Sequence, residues 1–284
     1  VFRIDFQLGW DADPEAEKKP ENVIPRIKAM LGDDREFELE WVSVYTFQCR
    51  RMNRFNHGRV LFVGDSAHQV SPFGARGANS GIQDADNLAW KLKLVMEGKA
   101  PATLLDTYTE ERAFAADENI MNSTRSTDFI TPKSRTSRTF RNAVLGLAER
   151  YPFARALVNS GRLSLPSFLT DSRLNTADVD SFAGNMVPGA PMDDAPVAEG
   201  RGWMLKELGN TFQLLYFVED AASIDAASAA ALQALAKDGI AVEAVVVATR
   251  GSAPAGLRTL TDAKGRIRER YDLQPGSCYL ARPD

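Results

Sequence analysis

The stretch RVLFVGDSAHQVSPFGARGANSGIQDADNLAWKL, residues 59–92, limits the possible folds more than any other part of the chain. Residues 60–63 are a continuous apolar run, the pattern of a strand buried on both faces of a covered sheet. Gly64 and Asp65 end it. A helix is predicted to start near Ser80, where Ser80 and Gln83 make an S-x-x-Q capping pattern. Its predicted buried stripe is Ile82, Ala85, Leu88, Ala89, Leu92 and Val95, and Gly98 stops it. Between strand and helix lie Pro72, Gly74 and Gly77, with Gly81 in the first predicted turn. Glycine destabilises regular structure by about 0.5–1 kcal/mol relative to alanine, so such a concentration implies sharp bending or close approach to something. The free N–H groups of a helix start favour an anionic or electron-rich group. Ligands of open α/β sheets sit beyond strand ends, where this loop falls, and the Asp65 carboxylate can accept hydrogen bonds from sugar hydroxyls there. The spacing is neither G-x-G-x-x-G nor G-x-x-x-x-G-K. On the residues alone, two readings stay open: an ordinary turn, or a loop for a nucleotide-like ligand.

The flanking sequence reads as two further parts. Residues 1–8 and 37–49 alternate like strands, and Val23, Ile27, Met30 and Leu31 follow helical spacing up to Gly32, giving strand–helix–strand over the first 55 residues. After the central stretch come helices over residues 102–122 and around Phe140, Val144, Leu147 and Tyr151, interrupted by Pro152. Residues 185–200, rich in Pro, Gly and Asp, read as a connector. Beyond it, TFQLLYFV and IAVEAVVVAT are buried-type strands around an alanine-rich helix with Ser223 as cap and Gly239 at its end. RTLTDAKGRIRERY reads as two short strands around a turn. The expected domains are therefore 1–55, 56–184, a linker 185–200, and an α/β module from 201 to 284.

Composition excludes several function classes. The chain has 284 residues, enough for about two domains. With 34 basic and 38 acidic residues the net charge is −4, so the chain lacks a nucleic-acid footprint. The two cysteines, Cys49 and Cys278, and two histidines have no metal-ligand spacing, and no metal is expected. No apolar run is long enough to span a membrane. The low cysteine count suits a reducing, cytoplasmic compartment.

The central stretch as a whole resembles the second flavin-binding motif of the group A flavoprotein monooxygenases, the aromatic ring hydroxylases. The motif runs strand, Gly-Asp-x-x-His, Pro-x-x-Gly-x-Gly-x-Asn, then a helix with Asp-x-x-Asn-Leu-x-Trp-Lys-Leu. Here these elements are matched by Gly64, Asp65 and His68; by Pro72, Gly74, Ala75, Arg76, Gly77, Ala78 and Asn79, with Ala75 standing where the motif has its first glycine; and by residues 84–92. The likeness extends through ELEWVSVYTFQCRRMNRF and LLDTYTEER and is strongest to the phenol hydroxylase and 3-(3-hydroxyphenyl)propionate hydroxylase branch. It implies an α/β fold class: part of an FAD-binding, glutathione-reductase-like (PHBH-type) fold with strands of a substrate domain, followed by a thioredoxin-like domain. It implies FAD as cofactor, NADH or NADPH and O2 as co-substrates, a flavin C4a-hydroperoxide as oxidant, a phenolic substrate and a homodimer. By analogy Asp65 holds the ribityl or ribose hydroxyls, Pro72, Gly74, Gly77, Ala78 and Asn79 line the isoalloxazine ring, and Gly64 is a further cofactor-binding residue. The family's N-terminal G-x-G-x-x-G unit has no counterpart in these residues, so the resemblance leads us to expect that the chain is part of a longer hydroxylase. Two alternatives to phenol hydroxylation are a flavin-free scaffold carrying a thioredoxin-like module and a hydroxylase of polycyclic, polyketide-like rings.

Other residues have competing readings. His68 is a catalytic base or, better, a loop histidine with a backbone partner. Tyr45 and Gln48 line the substrate pocket or pack in a strand core. Arg50, Arg51 and Arg54 attract a substrate carboxylate or form a solvated face. Trp90 reads as core, and Cys278 as a buried structural thiol.

Overall fold

The structure, a computed structural model, describes residues 1–9, 11–32, 35–158, 165–197, 202–237 and 239–284. The chain divides into two compact units, one made of Val1–Gln48 and Arg125–Val158 and the other of Cys49–Thr124 and Asn159–Asp284.

The first unit is helical. After the short α1 (Pro14–Glu17), α2 (Pro20–Leu31) starts on a proline, whose missing N–H costs nothing at that position. It ends at Gly32, whose φ of +81° suits glycine. Val23 and Ile27 are its buried residues, as the predicted periodicity has them, whereas Met30 of the same predicted face is exposed. The predicted strands on either side are not formed: the described residues of 1–9 and 35–49 take no ladder. Alternation supplies a face for burial, but a strand needs a partner for its backbone groups, and none pairs with these segments among the described residues.

The second unit carries the central stretch. β1 (Arg50–Arg51) pairs antiparallel with β4 (His68–Gln69), and β2 (Asn56–His57) with β3 (Val60–Leu61). The predicted doubly buried strand is thus a two-residue hairpin arm, with Val60 55% exposed. From its end Tyr108 takes over the anchoring: its hydroxyl donates to the Phe62 carbonyl at 2.7 Å. Phe55, Ala67, Leu88, Tyr108, Ala113 and Ala116 form the core beneath. The two helices that meet there are α3 (Arg76–Met96) and α4 (Asp106–Ile130); α4 continues into the first unit, where α5 (Arg135–Ala148) and α6 (Pro152–Val158) follow. Pro152, read as an interruption, is the first residue of α6.

Beyond residue 165 the chain builds an α/β module. β5 (Pro196–Val197) and β6 (Gly202–Trp203) pair before α7 (Met204–Glu207). β7 (Phe212–Asp220), α8 (Ala226–Ala234) and β8 (Val242–Arg250) form a parallel β–α–β unit. β9 (Arg258–Thr261) adds parallel to β8, and β10 (Cys278–Ala281) antiparallel to β7, giving the order β10-β7-β8-β9. Five consecutive residues of β8, Ala244, Val245, Val246, Val247 and Ala248, are buried, as a strand covered on both faces requires. The cap of α8 is Asp225, whose side chain accepts from Ser228 N, and not Ser223, which lies in the preceding turn. RIRERY, predicted as a strand, is the helix α9 (Arg266–Tyr271): Asp262 accepts from Arg268 N and holds the turn open for it. The Pro-rich segment before the module is packed rather than free, with Met186, Ala195 and Val197 in one core with Leu215 and Phe217; residues 198–200 lie outside the described residues.

Candidate functional site

Helix α3 begins at Arg76, four residues before Ser80. The chain enters through Gly74 (φ +84°) and Ala75 (φ +52°), and the left-handed turn at Ala75 sets the first helical residue. No side chain caps this end. The N–H groups of Arg76, Gly77 and Ala78 therefore lack intrahelical acceptors at the positive end of the helix dipole. Pro72, Gly74, Ala78 and Asn79 are exposed around it, and the Asn79 amide donates to the Ala75 carbonyl at 2.8 Å. Ser80, the predicted cap, is instead buried inside the helix and its hydroxyl accepts from Asn119 at 2.6 Å.

The Gly64–Asp65 turn is fastened to this helix from below. Gly64 adopts φ +60°, and a β-carbon on Gly81 would stand 3.4 Å from the Gly64 α-carbon, so the two glycines let turn and helix touch. Gly64 N donates to Asp84 at 3.0 Å. His68 Nε2 reaches the same Asp84 oxygen at 2.6 Å, and Arg112 Nε the other at 2.7 Å. Burial pushes the Asp84 carboxyl up, but His68 and Arg112 outweigh it and hold it below the usual range. His68 is buried with a carboxylate partner rather than a backbone one. It braces the turn. Above this anchor Asp65 is exposed, and no partner among the described residues holds its carboxylate.

The buried stripe of α3 is not the predicted one. Ile82 is 69% exposed, whereas Ser80, Asp84, Asn87, Leu88, Lys91 and Leu94 are buried. Lys91 Nζ sits 2.7 Å from Glu111 and 2.8 Å from the side-chain Oδ1 of Asn87. Adjacent residues of α4 thus grip α3 at two levels, Arg112 at Asp84 and Glu111 at Lys91. Burial lowers the Lys91 pKa to about 8 despite Glu111. Burial also penalises the Glu111 charge, yet Arg282 and Lys91 bring its pKa down to about 2. The sequence motif contains Asp84, Asn87 and Lys91 without revealing their roles; their spacing of three and four along one helix face was the available signal.

The remaining candidates fall as follows. Arg51 pairs with Asp117 at 2.6 Å through two nitrogens, and Arg54 with Asp106 at 3.4 Å, so these arginines tie the first strands to α4. Tyr45 and Gln48 belong to the other unit, where both are exposed and Tyr45 faces Phe47 at 6.1 Å. Trp90 is half-buried, with Phe212 packed edge-on at 5.3 Å. Cys278 is exposed, correcting the buried thiol; partial burial of its sulfur still raises its pKa, which keeps it a weak nucleophile. Among the described residues no cluster could hold a metal, and no helix is long and apolar enough to cross a membrane.

The chain also has matches among known proteins. Residues 2–123 match the FAD binding domain family. Over 152 residues the chain is 37% identical to the 3-(3-hydroxy-phenyl)propionate/3-hydroxycinnamic acid hydroxylase of Escherichia coli strain K12 / DH10B, covering 54% of this chain and 27% of the relative. The same values hold for the enzyme named alike in strain SE11. Among solved structures, the flavin-dependent monooxygenase PieE in complex with FAD and substrate aligns over 97% of the chain and 52% of its own, with TM-score 0.70 and 24% identity. The rebeccamycin biosynthetic enzyme RebC with reduced flavin aligns over 92% and 47%, with TM-score 0.64 and 23% identity. The α/β fold is that of the flavin monooxygenases, and the resemblance to the group A flavoprotein monooxygenases is borne out.

Proposed function

We propose that this chain, whose residues 2–123 carry an FAD binding domain, works as part of an FAD-dependent monooxygenase that hydroxylates a phenolic ring with NADH or NADPH and O2. One observation carries the reading: the Gly64–Asp65 turn is locked from beneath by Asp84, leaving a free carboxylate next to an uncapped helix start. The donor set fits the cofactor. Asp65 would accept from ribityl or ribose hydroxyls, and the amides of Gly77 and Ala78 would face the electron-rich edge of the ring. Gly64, Pro72, Gly74 and Asn79 complete the lining. Gly77 has space beside it, since an added β-carbon would meet only Val70 at 3.8 Å. When bound, FAD supplies the redox chemistry of oxygen activation; these residues hold, orient and shield it from water.

The phenolic substrate is favoured by the names of the relatives at 37% identity. Tyr45 and Gln48 are proposed to line its pocket, and the module from residue 201 to be thioredoxin-like. A cytoplasmic homodimer is the proposed setting. The test is NAD(P)H oxidation by the FAD-loaded protein across phenols and polycyclic rings. Stimulation by phenols, with hydroxylated product, is expected; stimulation by polycyclic rings alone, or by none, contradicts the reading.

A further inference from the structure

We propose that the C-terminal α/β module positions the flavin helix, with Arg282 as the latch between the module's sheet and the buried Glu111–Lys91 pair of α4 and α3. The functional meaning rests on the FAD reading above; the mechanical claim does not.

Arg282 directly follows β10, whose pairing with β7 (Ala281 opposite Gln213) fixes where its side chain leaves the sheet. Its guanidinium forks onto Glu111, Nη1 to one oxygen at 2.7 Å and Nη2 to the other at 3.0 Å. It also pairs with Asp284, which accepts from Asn87 of α3 at 2.7 Å. Ser172 donates to Glu111 as well. The guanidinium lies 5.3 Å from the Trp90 ring, against which Phe212 of β7 packs. The two strands of the antiparallel β10–β7 pair thus meet one turn of α3 from the same end of the pair. All of these residues belong to one compact unit.

The charges balance: Lys91 and Arg282 against Glu111 and Asp284. Lys91 is 0% exposed, so water cannot replace a lost partner. A buried pair adds little net stability, but removing one member leaves an uncompensated charge in place. The rigid path to the flavin site is short. Lys91 lies two turns, about 10 Å, from Asp84 along the helix, and Asp84 accepts the Gly64 N–H. The helix therefore has two anchors on one face, and displacing the Lys91 anchor shifts the carboxylate that holds the Gly64–Asp65 turn. Arg282 touches no proposed cofactor atom; it is a positioning residue.

The test compares Arg282→Met and Arg282→Lys in the full chain by amide hydrogen exchange under native conditions, without FAD. The reporter is the Gly64 amide, and the control is the Val246 amide in the core of β8. In Arg282→Met, Gly64 exchange is expected to speed by about tenfold while Val246 changes little. Arg282→Lys, which keeps the charge but loses the fork, is expected to recover part of the protection. Unchanged Gly64 exchange, or equal acceleration at Gly64 and Val246, overturns the latch. FAD titration of the same variants separates the two claims. Weaker binding in Arg282→Met joins them, whereas a parent chain that ignores FAD refutes the flavin reading and leaves the Gly64 comparison to decide the latch.

Discussion

Asp65 and Asp84 show how two carboxylates nineteen positions apart in one motif divide the work. Asp84 is fully buried and saturated with donors, whereas Asp65 is exposed and free. Asp65→Ala should therefore leave the thermal midpoint unchanged and weaken FAD binding by about 1–2 kcal/mol, roughly 5- to 30-fold. Flavin fluorescence titration checks this, and unchanged affinity counts against the assignment. Gly77→Val should weaken binding further, because the side chain would stand where the ring lies. Stability should hold, since valine is no worse in a helix than glycine and its β-carbon would meet Val70 at an ordinary 3.8 Å. The sequence made Asp65 legible only through the motif around it, since a Gly-Asp after a strand also reads as an ordinary turn. Asp84 was not legible as an anchor: its partners His68 and Arg112 come from other segments.

At the scale of elements, α3 departs most from its sequence pattern. Ser80 and Gln83 suggested a cap, but the αL turn at Ala75 starts the helix earlier and puts Ser80 inside. The apolar positions suggested one buried face, while the helix buries Asp84, Asn87 and Lys91 against α4 and the module. Polar burial of this kind depends on partners distant in sequence, which periodicity cannot see. It has a pH signature. The Glu111 carboxyl titrates at about 2 in the fold and near 4.3 in an unfolded chain. In that window the unfolded state binds the extra proton. The stabilisation is thus complete above about pH 4.3 and is lost as pH falls toward about 2. Urea midpoints measured from pH 5 to 2 should fall less steeply in Glu111→Gln than in the parent. Parallel slopes would contradict the buried pairing. By contrast, β7 and β8 were legible because a strand buried on both faces needs only its own apolar run.

For the whole molecule, the α/β module and the flavin-type motif were both readable, but not their connection. Neither Arg282 nor Asp284 stands out in the sequence, yet they close a charge network on α3. The expected strands over residues 1–8 and 37–49 show the reverse: pattern without partner. The account as a whole stands on the Gly64–Asp65 turn and the start of α3 gripping the flavin. The most direct measurement is amide exchange of the full chain with and without saturating FAD, read at Gly77 and Ala78 in the parent and in Asp65→Ala. The account predicts that FAD slows exchange at both amides in the parent and that Asp65→Ala needs more FAD to reach the same protection. Exchange at Gly77 and Ala78 that ignores bound FAD would place the flavin elsewhere and contradict it.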